Sequence, residues 1–448
     1  MPSIGDNYNR IVGNNTVGNG FVGNLDLVAE QTMEKRLKQA YGNVVTGDRF
    51  WDRKVEMALF IERIDAGAHQ LVVAQRRMGK TSLMAEAARR LRNRYYCIFV
   101  DLQGARSEGD AVAELSVAIH RHKPLWQKTK EVFGNIMNAV TERVEKVGGR
   151  ELGVTLRAGL TRGNWIEKGD QIFGILASAE RPVLLLFDEV PIMINHMLER
   201  DAMKITDSSR NRVEAFLCWL RKNSIRHQGK LRMVVSGSIG LEPVLRQAGL
   251  SATIINYMPF ELKPWDDDTA AECIEALANE YGVELDERVA REMVARVGYA
   301  IPHHIQMFFD KVYLWCKRKG SMTFSVEEIE EVYKREMLGA RGHAELSHYE
   351  ERLKSIHGEW ALAIAVEMLT EAAVTGYLSG ETIRAIQKDY ELEQQGVAKA
   401  QDEMLWALEH DGYLRREAKG YVFVSRLLRD WWKAHHGLAF VPFMKRGR

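Results

Sequence analysis

Cysteine is scarce in this sequence, with 4 residues in 448. Cys97, Cys218, Cys273 and Cys316 stand far apart and form no CxxC pair, which excludes a disulfide-framed secreted fold and a cysteine-rich zinc module. Long apolar runs are also missing: none approaches the roughly 20 residues that span a bilayer. An excess of one charge is missing too. Lys+Arg of 62 against Asp+Glu of 61 leaves +1, so no global basic field attracts nucleic acid, although a local patch is compatible with this balance. The opening "MPSIGDNYNR" has neither the basic start nor the apolar core of a signal peptide. Together these absences predict a soluble cytoplasmic protein with no membrane partner. With 46% hydrophobic residues, the chain can bury sizeable cores in about two to four domains.

Strands alternating with amphipathic helices begin near residue 55. The candidate strands are "HQLVVAQ" (69–75), "YYCIFVDLQ" (95–103), "PVLLLFDEV" (182–190), "LRMVVSGSI" (231–239) and "IINYMPFEL" (254–262). Near-continuous apolar runs of this length predict an open parallel sheet covered on both faces, an α/β fold. A helical pattern at 108–148 and the alternating "ELGVTLRAGL" (151–160), which reads as a strand, predict an insertion between the second and third strands. Ahead of the sheet, Val-Gly-Asn recurs at 12, 17 and 22 in a Gly/Asn-rich tail. The tail reads as mobile or loosely paired; self-association through stacked valines is the sharper alternative.

The stretch "LVVAQRRMGKTSLM" (71–84) joins a strand to a helix through a loop ending in Gly79-Lys80-Thr81. A phosphate cradle needs backbone amides that point inward and a helix N-terminus facing the anion. It also needs a lysine for the outer phosphates and a hydroxyl for Mg²⁺. Ala74 stands where the usual first glycine would be, and its added methyl is tolerable if φ stays below zero. The candidate nucleotide contacts are therefore Ala74, Gln75, Arg76, Arg77, Met78, Gly79, Lys80, Thr81 and Ser82. The Arg76 and Arg77 side chains suit structural pairing better than catalysis. About a hundred residues on, "VLLLFDEV" ends in Asp188-Glu189. Strand ends in a parallel sheet converge on one edge, so Asp188 can join Thr81 around Mg²⁺ while Glu189 orients or deprotonates water. Ser236 and Ser238 follow the next apolar run, where they can sense the γ-phosphate or belong to a simple turn. The sequence contains no Asn-Lys pair, hence no base-reading NKxD of a GTPase.

In this order, "GDRFWDRKVEM", "QRRMGKTSLM", "LLLFDEVP", "VVSGSIGL" and "IPHHIQMFFDKV" resemble the AAA+-like and STAND-like P-loop ATPases of prokaryotes, relatives of the origin-recognition and archaeal-type ATPase group. The resemblance covers about residues 43 to 340. It implies a sheet of order 5-1-4-3-2, a helical lid, and a winged-helix-like tail. The implied organisation is a tail and leading helix at 1–42 and a P-loop core at 43–265 with an insertion at about 104–180. A lid at 266–340 and a winged-helix-like domain at 341–448 would follow. Carried across, Lys80 would contact the β- and γ-phosphates, Thr81 and Asp188 the Mg²⁺, and Glu189 the attacking water. Ser238 resembles the sensor, with Ser236 the second choice. Pro302 resembles the proline packed near adenine, and His303 reads as a surface or satisfied histidine. An arginine from a neighbouring subunit often completes such sites; Arg221 and Arg226 precede the fourth strand, where a finger could project or simply cap a helix.

The last hundred residues read as helices followed by two short strands around "EAKG", a wing. Arg415, Arg416, Lys419, Arg426, Arg429 and Lys433 would suit phosphate contacts of DNA. Glu391, Glu393, Asp402 and Glu403 make the expected recognition segment acidic, which favours a protein-contact role. Three functions follow: an ATPase whose cycle drives assembly or remodels a partner, a slowly turning nucleotide switch, or an ATP-stabilised nucleic-acid-binding regulator.

Overall fold

The segment Val183–Asp188 is buried along its whole length, and its side chains divide between two cores. Val183, Leu185 and Phe187 enter one apolar cluster, while Leu184 and Leu186 enter another. That period-two division across a continuous apolar run is the signature of a strand covered on both faces. The computed structural model describes residues 37–134, 149–198, 200–201, 204–237, 239–251, 256–389 and 397–446.

Five parallel strands make the central sheet: β1 (Gln70–Val73), β2 (Tyr96–Asp101), β3 (Val183–Asp188), β4 (Leu231–Ser236) and β5 (Met258–Glu261), in the order β2-β3-β4-β1-β5. This is the order expected, read from the other edge, and the fold is that of a P-loop NTPase. Pro259 sits in β5, an edge strand, where a missing N–H costs least. Helices α1 (Lys54–Asp65) and α2 (Lys80–Leu91) cover one face through Met57, Phe60, Ile64, Leu83, Met84 and Leu91.

The other face is covered by α3 (Glu108–Ile119), α4 (Lys123–Thr129), α5 (Gly149–Ala158), α6 (Trp165–Ala177), α7 (Val190–Met197), α8 (Asp207–Arg226) and α9 (Leu241–Gln247). The strand expected at 151–160 is helical instead. Leu152 and Leu156, four residues apart, are buried, and Val154 between them is 63% exposed. A spacing of two plus two is also a spacing of four, so alternation over so few residues misled. Residues 135–148 and the Val-Gly-Asn repeats lie outside the described residues.

Beyond the sheet, α10 (Asp267–Tyr281) is capped by Asp266, whose carboxylate accepts from the Thr269 amide at 2.7 Å. Then come α11 (Val289–Val297), α12 (Pro302–Lys319), α13 (Ala340–Thr375), α14 (Gly380–Asp389), α15 (Val397–His410) and α16 (Arg426–His436). Short antiparallel strands β6 (Leu378–Ser379), β7 (Leu414–Glu417) and β8 (Gly420–Phe423) pair in the order β6-β8-β7, so the hairpin around 417–420 is present with a third strand beside it. One continuous apolar core runs from Ala270 and Leu277 through Phe308 and Leu369 to Trp431 and Trp432. Trp406 is half-buried, with the Arg246 guanidinium 4.8 Å over its ring. Among the described residues, no helix is long and apolar enough to cross a membrane.

Candidate phosphate-binding site

Strand register brings the acidic and hydroxyl groups together. Phe187 stands beside Val235, and Val72 beside Ser236, so β1, β3 and β4 end at one level. There the Thr81 hydroxyl donates to Asp188 Oδ2 at 2.7 Å. The Glu189 amide donates to Asp188 Oδ1 at 3.1 Å, and the Ser236 hydroxyl also donates to that oxygen. The buried carboxylate is thus fixed between a hydroxyl from α2 and one from β4. Ser236, the second choice from sequence, makes the contact; Ser238 lies outside the described residues.

The loop from Ala74 to Gly79 shows why it tolerates its unusual start. Among the described non-glycine residues, positive φ occurs at Asp52, Arg53, Arg77 and Glu189, so Ala74 keeps φ below zero and its methyl costs no backbone strain. Gly79 is different. It has φ 90°, with open space around the position of a Cβ, so conformation rather than crowding demands glycine there. Left-handed Arg77 and Gly79 turn the chain tightly into α2, the geometry from which amides converge on an anion. Lys80 is buried, and its ammonium donates to the carbonyls of Ala74 at 2.8 Å and Gln75 at 2.9 Å. Ser82 Oγ accepts from the Val45 amide at 3.1 Å, tying the segment before α1 to the first turn of α2.

A cleft of about 660 Å³ opens over the loop, within the size range of small-molecule sites. Arg76, Arg77, Met78, Gly79, Lys80, Thr81, Ser82, Glu189 and Pro302 all line it. Ala74, Gln75 and Asp188 stand behind this wall, through the bonds just described. Arg221 is exposed near the end of α8, its carbonyl accepting from the Ser224 hydroxyl at 2.8 Å. Because α8 ends at Arg226 and β4 starts at Leu231, Arg221 and Arg226 stand by the opposite ends of the strands, away from the cleft of their own chain.

Several lining groups were given no part in the site by the sequence reading. Tyr41, Trp51 and Arg53 line it, and Arg53 donates to the Met78 carbonyl at 3.4 Å. His303 lines the cleft too, but it is buried rather than superficial, with Nε2 3.4 Å from Glu345 Oε2. Burial lowers the affinity of His303 and His304 for a proton, His304 strongly. Burial, with Arg76 and Arg77 nearby, pushes His348 down to about 2. His303, His304 and His348 are therefore neutral at pH 7.

The donor set fits a magnesium nucleotide. A hydroxyl and a carboxylate 2.7 Å apart suit a hard cation. Arg77 Nε and Gln75 Oε1 are buried polar atoms without a hydrogen-bond partner beside the same loop.

No family model and no curated protein matches this chain. Among solved structures, a Walker-type ATPase of Pyrococcus abyssi is similar over 90% of this chain and 100% of its own, with TM-score 0.54 and 16% identity. That likeness is one of fold. The Aeropyrum pernix ORC1 protein, solved in complex with DNA, matches 87% of this chain and 94% of its own at TM-score 0.41 and 13% identity. The Thermotoga maritima RuvB Holliday junction branch migration motor covers 87% and 96%, at 0.42 and 13%. Neither of these two distant likenesses bears on function.

Proposed function

We propose that this chain binds Mg-ATP and hydrolyses it, and that its nucleotide state controls assembly or the engagement of a protein partner. The observation that carries this reading is the 2.7 Å contact between Thr81 and Asp188, in a cleft that Lys80 and Glu189 also line. Loop amides and Lys80 would hold the outer phosphates, and Thr81 and Asp188 would hold Mg²⁺, which supplies charge neutralisation on the phosphates. Glu189 would accept the proton of the attacking water, with Ser236 steadying Asp188 and Ser238 nearby in sequence. Pro302 would pack near the base. Arg221 would enter the chemistry only from a neighbouring copy, which is the role we give to self-association. We read 43–265 as the ATPase core, 266–340 as the lid and 341–448 as a winged-helix-like domain of the STAND-like kind. Its partner is a protein rather than DNA, and its setting is the cytoplasm.

Multiple-turnover phosphate release tests the reading. The parent is expected to release phosphate continuously from Mg-ATP, and Lys80→Ala is expected to release none. Equal rates for the two would sink it. One observation favours the slow-switch variant of the same chemistry: residues of α13 touch the phosphate loop, as Arg76 does with the His348 carbonyl at 3.5 Å.

A further inference from the structure

The phosphate loop is gripped by residues from α13 onward at two separate points. At the first, near the start of α13, Glu345 Oε2 lies 3.8 Å from an Arg77 terminal nitrogen and 3.4 Å from His303 Nε2. One carboxylate thereby ties the loop to the first turn of α12. At the second, in the turn between α15 and β7, Asp411 Oδ1 accepts from the Gly240 amide at 3.2 Å. Its neighbour Gly412, at φ 78°, lies so close to Gln75 that a Cβ would fall 2.0 Å from that side chain. Gln75 and Gly240 belong to the loops that follow β1 and β4, so both contacts bear on the phosphate end of the sheet.

The chemistry of the first contact conflicts with anion binding. Arg77 lines the cleft and its side chain is about a quarter exposed, so its guanidinium can meet an incoming anion. A carboxylate at 3.8 Å already draws on that charge and also repels phosphate. Glu345 is held below the ordinary carboxylate range, first by His303, whose Nε2 stands 3.4 Å away, and so it is anionic at neutral pH.

We infer that Glu345 is an inhibitory latch: it holds Arg77 and His303 against α13, and the outer phosphates of a bound nucleoside triphosphate compete for Arg77 and free α13. Glu345 is a positioning residue here and takes no part in hydrolysis. The coupling is reciprocal, so whatever factor separates latched from released α13 in triphosphate affinity is the factor by which triphosphate loosens α13. This inference rests on the nucleotide reading above and adds to it the route by which occupancy reaches the C-terminal elements.

The test uses the full chain, calorimetric titration with Mg-ATP, and amide hydrogen exchange of α13. Glu345→Gln keeps the size of the side chain and an oxygen for His303. It is expected to bind Mg-ATP about three- to tenfold more tightly than the parent, the range left after solvent and salt screen the charge. Exchange in the first turns of α13 is expected to rise on adding Mg-ATP to the parent, and to be raised beforehand in Glu345→Gln. Gly412→Ala loosens the second grip independently and is expected to shift affinity in the same direction. Should Glu345→Gln fail to fold, Glu345→Ala, which also removes the carboxylate, carries the same expectation. Unchanged or weaker binding by a folded variant, in a parent that binds Mg-ATP and loses it on Lys80→Ala, overturns the latch alone. A parent that binds no better than Lys80→Ala overturns the nucleotide reading and the latch with it.

Discussion

Asp188 and Asp170 make an instructive pair. Each carboxylate accepts from three donors inside the same P-loop fold. Asp188 takes the Thr81 and Ser236 hydroxyls and the Glu189 amide. Asp170, on α6, takes Trp219 Nε1 at 2.8 Å, Asn223 Nδ2 at 2.9 Å and Lys222 Nζ at 3.2 Å. The donors to Asp170 all come from one regular helix, at spacings that share a face, and they staple α8 to α6. The donors to Asp188 come from three elements that meet where backbone is left-handed, at Gly79 and Glu189, and a cleft opens beside them. Saturated hydrogen bonding is common to both, so it does not mark a functional carboxylate. What sets Asp188 apart is the convergence of separate strand ends beside a cavity, with left-handed backbone retained, and that is the ground for proposing a role for it.

The comparison is sharpest if the two sites respond oppositely to mutation. Glu189→Gln removes the proposed general base beside Asp188 and is expected to lower turnover by about 10²- to 10⁴-fold, with Mg-ATP binding retained; steady-state phosphate release alongside calorimetry measures both. Lys80→Ala is expected to weaken Mg-ATP by about 10- to 100-fold through loss of charge-assisted bonds, with little change in unfolding. Asp170→Ala should do the reverse. It strands the Trp219 and Asn223 donors and is expected to cost about 1–3 kcal/mol in chemical denaturation, while nucleotide affinity stays as in the parent. A loss of affinity matching that of Lys80→Ala would show that the two carboxylates are not separable.

These contrasts also show what sequence can carry. The apolar runs of β3 and β4 placed the sheet because burial on both faces leaves no polar alternation, and Asp188-Glu189 stood out as acids ending such a run. Ala74 was legible as a tolerable departure, since only the sign of its φ mattered. Placing the Ser236 hydroxyl on Asp188 needed the strand register, which no local pattern states. Arg76 meets His348 across 272 positions of chain, and Arg77 meets Glu345 over a similar span. Charges that find each other through tertiary packing leave no spacing to read. The helix at Gly149–Ala158 was missed for the opposite reason, because a short pattern satisfied two periods at once.

Acid separates the two regions by pH. Burial lowers the His303, His304 and His348 pKa values from the ordinary 6.5. The unfolded chain therefore binds protons there that the folded chain does not. Their contribution to stability is full above pH 6.5 and declines as pH falls below it. Asp170 is desolvated, which alone would raise its pKa, but Asn223, Lys222 and Trp219 outweigh this and hold it below the ordinary 3.8. Its contribution is full above that value and is lost only as pH falls further. Denaturation midpoints measured from pH 7.5 to 3 are expected to start falling below 6.5. Replacing His348 by Asn should flatten that first fall, and Asp170→Ala should leave it in place.

The smallest effect is expected at Arg221. Its side chain is exposed and stands by the strand ends opposite the cleft, so Arg221→Ala is expected to leave stability within about 0.5 kcal/mol and Mg-ATP affinity unchanged. Turnover is the discriminating quantity. If this arginine reaches a neighbouring copy, removing it lowers turnover only at protein concentrations where copies associate, and mixing with Lys80→Ala chains, whose own sites are dead but whose Arg221 is intact, restores part of the loss. A deficit of the same size at every dilution, unrelieved by mixing, would mean that Arg221 acts within its own chain. The opposite strand ends would then be coupled to the cleft after all, and Asp170 and Asp188 would no longer differ in whether they communicate with it.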